Sequence, residues 1–335
     1  MPLPRKVPLA QLPTPLHRLD RMSDRLELDL WIKRDDLTGF AGGGNKGRKL
    51  EYLMADALDK GAQAVVSCGT TQSNFVRQLG AACAVFGLKC AAATMALPYD
   101  TQAGRPHAAA LLSSGGNVLL DEMLGVDLRI YADGDWDELY SHAERLAQEY
   151  ETNGLKVYRI PIGGSSPLSA YAFYEAGAEV RAQAEPFEWI VFGSSSGSTH
   201  TGLTYSFHGK PTRVLGISSD PEPDILEEFA EAGKGLAAIL GIAPLTAADF
   251  SMNFDYVGPG YAAPSEEGAR AIEALARTEA IFLDPVYSGK AFAGLMDLAA
   301  RREIGGRVLF WHTGGLPSLF AMTPTRVGEL SAGIR

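Results

Sequence analysis

The chain predicts an α/β fold built on open, twisted, mostly parallel sheets with flanking helices, divided over two lobes. Three observations carry this. Short apolar runs of about four to six residues alternate with helical segments of about ten to fifteen, the pattern of βαβ units. Glycine-rich turns follow three of those runs. The length, 335 residues, exceeds what one core usually holds and suggests either two lobes or a large domain with a smaller one inserted.

After a proline-rich entry, residues 28–33 (LDLWIK) read as a strand running into the charged turn Arg34-Asp35-Asp36. Gly42, Gly43 and Gly44 follow, then Asn45-Lys46 and a helix over 47–59. Strands are expected at 64–67, 89–94, 118–120, 157–160, 189–192, 214–217 and 308–312. Helices are expected at 74–86, 105–112, 135–150 and 166–182. The acidic, alanine-rich stretch 221–250 reads as surface helices. The segment 121–134 is the best candidate for a lobe boundary. The expected division is a large domain of residues 1–48 and 156–335, with a small domain of 49–155 inserted and the active site between them.

Composition narrows the function. A net charge of −10 argues against a nucleic-acid surface. Cys68, Cys83 and Cys90 have no metal-ligand spacing and read as buried, reduced thiols, so no metal site is expected. The N-terminus lacks the apolar core of a signal peptide and no run approaches a membrane span, so a cytoplasmic chain is expected.

The three turns are Gly69-Thr70-Thr71-Gln72-Ser73-Asn74, then Gly193-Ser194-Ser195-Ser196-Gly197-Ser198-Thr199, then Thr313-Gly314-Gly315. Each points outside the carboxyl end of a strand, where open α/β folds bind ligands. In the serine-rich turn, small residues let backbone N–H groups close around an anion, and the following helix presents its positive end. A phosphate is the natural guest, although a tight solvated turn has the same look. The turn lacks both the lysine of a GxxxxGK(S/T) loop and the order of a GxGxxG site. Lys46 stands after three glycines at a helix start, where close approach of a planar ligand is allowed and the helix end would lower its pKa. A Schiff-base lysine needs that property, although a lysine capping a loop would occupy the same place.

With these residues assembled, the chain resembles the fold-type II pyridoxal-phosphate (PLP) enzymes, a group with a tryptophan synthase β-like architecture. Within it the chain resembles the D-cysteine desulfhydrase and 1-aminocyclopropane-1-carboxylate (ACC) deaminase family. The blocks are LPTPLHRLDRMS, IKRDDLTGFAGGGNKGRKLEYLMADAL, GTTQSNFVRQ, IPIGGSSPLSAYAFYEAGAEV, FGSSSGSTHTGL, GPGYAAPSEEGARAI, LDPVYSGKAFAGL and FWHTGGLPSLF. The resemblance implies that Lys46 carries PLP as a Schiff base and that Lys49 helps hold its phosphate. Asn74 would meet the pyridine O3′. Gln72 and Ser73 would surround the substrate carboxylate, with Ser73 also able to move protons. Ser194, Ser195, Ser196, Gly197, Ser198 and Thr199 would form the phosphate cup, and Tyr261 and Tyr287 would flank the substrate.

The same resemblance implies β-elimination from a small β-substituted amino acid, D-cysteine first, yielding pyruvate, sulfide and ammonia. Lys46 is the favoured base. Ser288 and Thr313 would also bind the cofactor; they stand where ACC deaminases carry glutamate and leucine, and a hydroxyl that hydrogen-bonds a neutral pyridine nitrogen, in place of a carboxylate on a protonated one, favours desulfhydration over ring opening. L-cysteate sulfo-lyase is an alternative, ACC deaminase a weaker one, and a non-catalytic PLP-binding protein the reading of a different class. Phe75 departs from the family, which often carries histidine or glutamine there, so the polar network beside Asn74 is expected to differ. A homodimer is implied by the resemblance alone.

Overall fold

The computed structural model describes residues 3–97, 113–222 and 224–322. The first elements are β1 (Leu16–Arg18), α1 (Asp20–Leu26), β2 (Asp29–Arg34) and α2 (Lys46–Asp59). Then come β3 (Ala64–Thr70), α3 (Asn74–Phe86), β4 (Lys89–Met95), α4 (Gly116–Met123), β5 (Asp127–Ile130), α5 (Trp136–Thr152) and β6 (Val157–Arg159). The rest are α6 (Pro167–Gln183), β7 (Trp189–Ser194), α7 (Ser198–Phe207), β8 (Arg213–Ser218), α8 (Ile225–Leu240), β9 (Ser251–Asn253), α9 (Glu266–Glu279), α10 (Ser288–Ala300) and β10 (Arg307–His312).

They form two sheets, as expected. The larger has the order β1-β2-β10-β7-β8-β9 and is parallel except for the β1–β2 pair. The smaller, β5-β4-β3-β6, is parallel throughout. Helices cover both faces of the larger sheet, so its strands are apolar on both sides. In β10, Val308 and Phe310 join α9 and α10 side chains such as Leu275 and Leu295. Leu309 and Trp311 point the other way, into Phe173 and Leu203 of α6 and α7. That is the two-residue period of a strand read directly from VLFW.

Helix starts follow local chemistry. Ser166 caps α6 in a reciprocal box with Ser169, with Pro167 in the first turn. The Asp135 side chain accepts from Glu138 N to open α5.

Several expectations need correction. Residues 118–120 are not a strand but lie in α4, because the buried positions Asn117, Val118 and Asp121 follow a helical spacing. The strand is β5, inside the segment read as a lobe boundary. The smaller sheet therefore runs through that segment, and β6 carries it past residue 155. The stretch 221–250 does form a helix, but α8 buries Ile225, Phe229, Ala230 and Leu236 instead of lying wholly on the surface. The expected helix over 105–112 lies outside the described residues. All three cysteines are free and buried.

Candidate active site

One cavity of about 430 Å³ opens at the carboxyl ends of the strands. Its wall takes Gly69 and Thr70 from the end of β3, Gly193 and Ser194 from the end of β7, and Thr313 just past β10. All three glycine-rich turns thus meet in one place.

Lys46 opens α2 and lines this cavity. The glycines before it are required by geometry. Gly43 has φ +78°, and a Cβ there would fall 1.8 Å from the Asp36 carbonyl oxygen. Lys46 is half-buried on the cavity wall. Burial lowers its pKa to about 8 from 10.5, and a hydrogen bond with Lys49 works weakly the other way. Burial is thus the larger cause, where the sequence suggested the helix end. Lys49, one turn on, donates from Nζ to Gly163 O at 3.2 Å. Burial and then the charge of Lys46 pull its pKa well below the usual lysine range.

Ser73 caps α3, accepts from Val76 N at 3.3 Å and lines the cavity beside Asn74. Gln72 does not join that wall. Its Nε2 donates to Gly115 O at 3.2 Å, and its Oε1 accepts from Asn117 N at 2.8 Å. Phe75, the departure from the family pattern, is buried against Leu50 and Leu79 and reaches the cavity edge. Its ring covers Gly164, where a Cβ would come within 2.4 Å. The hydrogen bonds beside Asn74 come from Arg77 and Asn117 instead.

Ser194, Ser195, Ser196, Gly197 and Thr199 all line the cavity where β7 turns into α7. Gly197 is the residue before the helix, with φ +91°. Ser198 is buried behind them, its Oγ without a hydrogen-bond partner. Ser194 Oγ lies 3.0 Å from Nδ1 of His200, which is wedged between Phe192, Phe229 and Phe250. Burial drops the pKa of His200 to about 3, so the imidazole is neutral.

Across the cavity, the Tyr261 and Tyr287 hydroxyls meet at 2.5 Å, and burial raises the pKa of both above the usual phenol range. Trp136 packs edge-on to Tyr261. Ser288 is not on the wall. It is 1% exposed, donates from Oγ to Asp284 Oδ1 at 2.5 Å and accepts from Asp284 N at 2.8 Å. The hydroxyl expected at the pyridine nitrogen is therefore held by Asp284, outside the start of α10. Thr313 does line the cavity, and its carbonyl accepts from Asn45 N at 2.9 Å.

Sequence reasoning missed Arg77, Asn117, His200 and Trp136. Arg77 and His200 sit inside two of the family-like blocks, GTTQSNFVRQ and FGSSSGSTHTGL, and were within reach. Asn117 and Trp136 have no local signal, since only the packing of α4 and α5 brings them to the site. Among the described residues no group of three or more His, Cys, Asp or Glu is arranged to hold a metal, and no helix is long and apolar enough to cross a membrane.

A family model for pyridoxal-phosphate dependent enzymes matches residues 7–314. D-cysteine desulfhydrases of Yersinia enterocolitica and Serratia proteamaculans are each 39% identical to the chain, over 93% of it and 94% of theirs. That of Salmonella newport is 38% identical, over 95% of this chain and 96% of its own. The crystal structure of an ACC deaminase homologue superposes with a TM-score of 0.85 at 35% identity, covering 98% of this chain and 96% of that one. Threonine deaminase isoform 2 from Solanum lycopersicum shares the fold alone, with a TM-score of 0.64 at 16% identity over 95% and 87% of the two chains. A helix-opening lysine of lowered pKa, a serine-glycine turn on the same cavity and two mostly parallel sheets thus meet a match over nearly the whole length: the chain belongs to the pyridoxal-phosphate dependent enzyme family, in its fold-type II architecture.

Proposed function

We propose that the chain is a PLP-dependent desulfhydrase that converts D-cysteine and water to pyruvate, hydrogen sulfide and ammonia. The observation that carries this is the constellation of Lys46, Ser73, Tyr261 and Tyr287 on one cavity, in a chain about two-fifths identical to D-cysteine desulfhydrases over nearly its full length. The residues present fit the cofactor. Ser194, Ser195, Ser196, Gly197 and Thr199 line the cavity where α7 begins, with Gly197 at a φ of +91° that favours glycine, and Ser198 behind them has a buried hydroxyl without a partner. Lys46 and Lys49 put two amines of lowered pKa on the same cavity, one for an aldehyde and one to take up a proton beside a phosphate.

Lys46 would hold the cofactor covalently, with Lys49 and the 194–199 turn on its phosphate and Asn74 and Thr313 around its ring. When bound, the cofactor supplies the electron sink that acidifies the substrate Cα–H. Lys46, once released by the incoming amine, takes the Cα proton, and its lowered pKa brings the neutral amine within range near neutral pH. Ser73 is the base available to the opposite configuration. Burial keeps the Tyr261–Tyr287 pair protonated at neutral pH, and one of its protons passes to the departing sulfur as the Cβ–S bond breaks.

The proposal includes two lobes, a large one (1–48 and 156–335) and a small one inserted (49–155), with the second boundary moved past β6 because β6 pairs with β3. It is supported by the two sheets drawing on those separate stretches. A cytoplasmic homodimer belongs to it as well, on family resemblance. Sedimentation as a clean monomer at 35.8 kDa would overturn that assembly.

The test of the activity is a parallel assay with both cysteine enantiomers, L-cysteate, β-chloroalanine and ACC. Pyruvate and sulfide from D-cysteine are expected. Preferred release of sulfite from L-cysteate, or of 2-oxobutyrate from ACC, would overturn it in favour of one of those alternatives.

A further inference from the structure

We infer that Arg77 is a positioning residue that dictates which end of the Asn74 amide faces the cofactor. This rests on the reading that Asn74 meets the cofactor's ring oxygen. Arg77 lies on α3 one turn beyond Asn74 and is 1% exposed. Its Nη1 donates to Asn74 Oδ1 at 3.0 Å and to Asn117 Oδ1 at 2.6 Å, and its Nη2 donates to Gly43 O at 2.8 Å.

A guanidinium has donors and no acceptor, so every group turned toward it must present an oxygen. That constraint propagates. Because Asn117 gives its Oδ1 to Arg77, its Nδ2 turns to Asn74 Oδ1 at 3.1 Å and to Gln72 O at 2.8 Å. Asn74 Oδ1 therefore accepts from two donors at once. The remaining polar end of the amide is Nδ2, on a residue of the cavity wall. An asparagine alone can face either way. Here the orientation is set, so the wall offers an N–H to an electron-rich oxygen.

Burial lowers the pKa of Arg77 to about 10, with Asp121 partly opposing, so the side chain stays cationic at neutral pH. The same guanidinium grips Gly43, three residues before Lys46. One buried side chain thus ties the lysine's loop to the Asn74 turn.

The readout is the visible absorption band and cofactor retention of the holoenzyme without substrate. Wild type, Arg77→Met, Arg77→Lys and Asn74→Ala are compared after circular dichroism and thermal melts establish folding. Arg77→Met lets the amide rotate, so absorbance is expected to move toward the shorter-wavelength component in which the ring oxygen keeps its proton. The cofactor dissociation constant should rise about tenfold, the scale of one charge-assisted hydrogen bond. Arg77→Lys, which keeps the charge but not the fork, should fall between.

An unchanged band in Arg77→Met beside a shifted one in Asn74→Ala overturns the role of Arg77. An unchanged band in Asn74→Ala overturns the underlying reading instead. If Arg77→Met does not fold, Asn117→Leu removes one of the two donors to Asn74 Oδ1. A smaller shift in the same direction is expected there, and no shift overturns the proposal.

Discussion

The hydroxyls of Tyr261 and Tyr287 share one hydrogen bond, 2.5 Å long, although the two residues reach the cavity from different elements. Tyr287 is the residue before α10, and Tyr261 sits in the loop before α9. Lys290, on the first turn of α10, joins them by donating to Val257 O at 2.7 Å and Gly260 O at 2.8 Å. One phenolic proton is spent between the two oxygens, so the pair has one proton left to donate outward.

Because that proton serves both oxygens, Tyr261→Phe and Tyr287→Phe should each lower kcat on D-cysteine by about 10²-fold, the scale of one general acid. The double variant should lose little more than either single one. Pyruvate formation under saturating substrate measures this, and full additivity would mean that the phenols act independently. Lys290→Met should lower turnover by releasing the loop that carries Tyr261.

The lowered pKa of Lys46 fixes the pH dependence of cofactor loading. A depressed pKa means that the neutral, nucleophilic amine appears at lower pH than in a free lysine. The rate at which apoenzyme takes up PLP should therefore climb through a midpoint near 8 instead of 10.5. Stopped-flow absorbance measures it. Borohydride treatment should fix the cofactor on Lys46 by mass mapping, and Lys46→Ala should abolish turnover.

Lys49 holds its proton weakly while Lys46 is charged beside it. A phosphate arriving nearby favours the ammonium form, so binding should take up a proton. Titration calorimetry with pyridoxine 5′-phosphate, which has no aldehyde, in buffers of different ionisation enthalpy reads this directly. Lys49→Met should remove the uptake.

Gly197 cannot be replaced without two costs. Its φ of +91° is strained for any side chain, and a Cβ would come within 2.5 Å of the Phe229 ring. Gly197→Val should weaken cofactor binding by about tenfold or more in protein that still folds. Equilibrium dialysis gives the answer. Unchanged affinity would move the phosphate site elsewhere.

Asp284 holds the start of α10. Its Oδ2 accepts from Val286 N and Tyr287 N, and its Oδ1 from Ser288 N and Ser288 Oγ. Ser288→Ala removes one of these bonds and also the acceptor of the buried Asp284 N–H, and should cost about 2 kcal/mol in urea unfolding, while Asp284→Ala strands several buried donors and should cost about 3 kcal/mol. A visible band left unchanged by Ser288→Ala is expected, because its hydroxyl is not on the cavity wall.

The alternation of apolar runs and helices was legible in the sequence because a parallel sheet covered on both faces demands continuous apolar strands. For the same reason β3, β4, β7, β8 and β10 were found near their observed limits. That Lys46, the Asn74 turn and the serine-rich turn would face one cavity was legible too, since glycines and small hydroxyl residues at strand ends have few other uses in such number. Residues 118–120 were misread because three apolar residues cannot tell a strand from a helix whose buried face is partly polar, here Asn117 and Asp121. Only the tertiary structure turned Ser288 and Gln72 away from the cavity, the first onto Asp284 and the second onto α4. It alone brought Arg77 and Asn117 together behind Asn74. Local sequence fixes which groups a residue carries, but hydrogen-bond partners distant in the chain decide which way each group points.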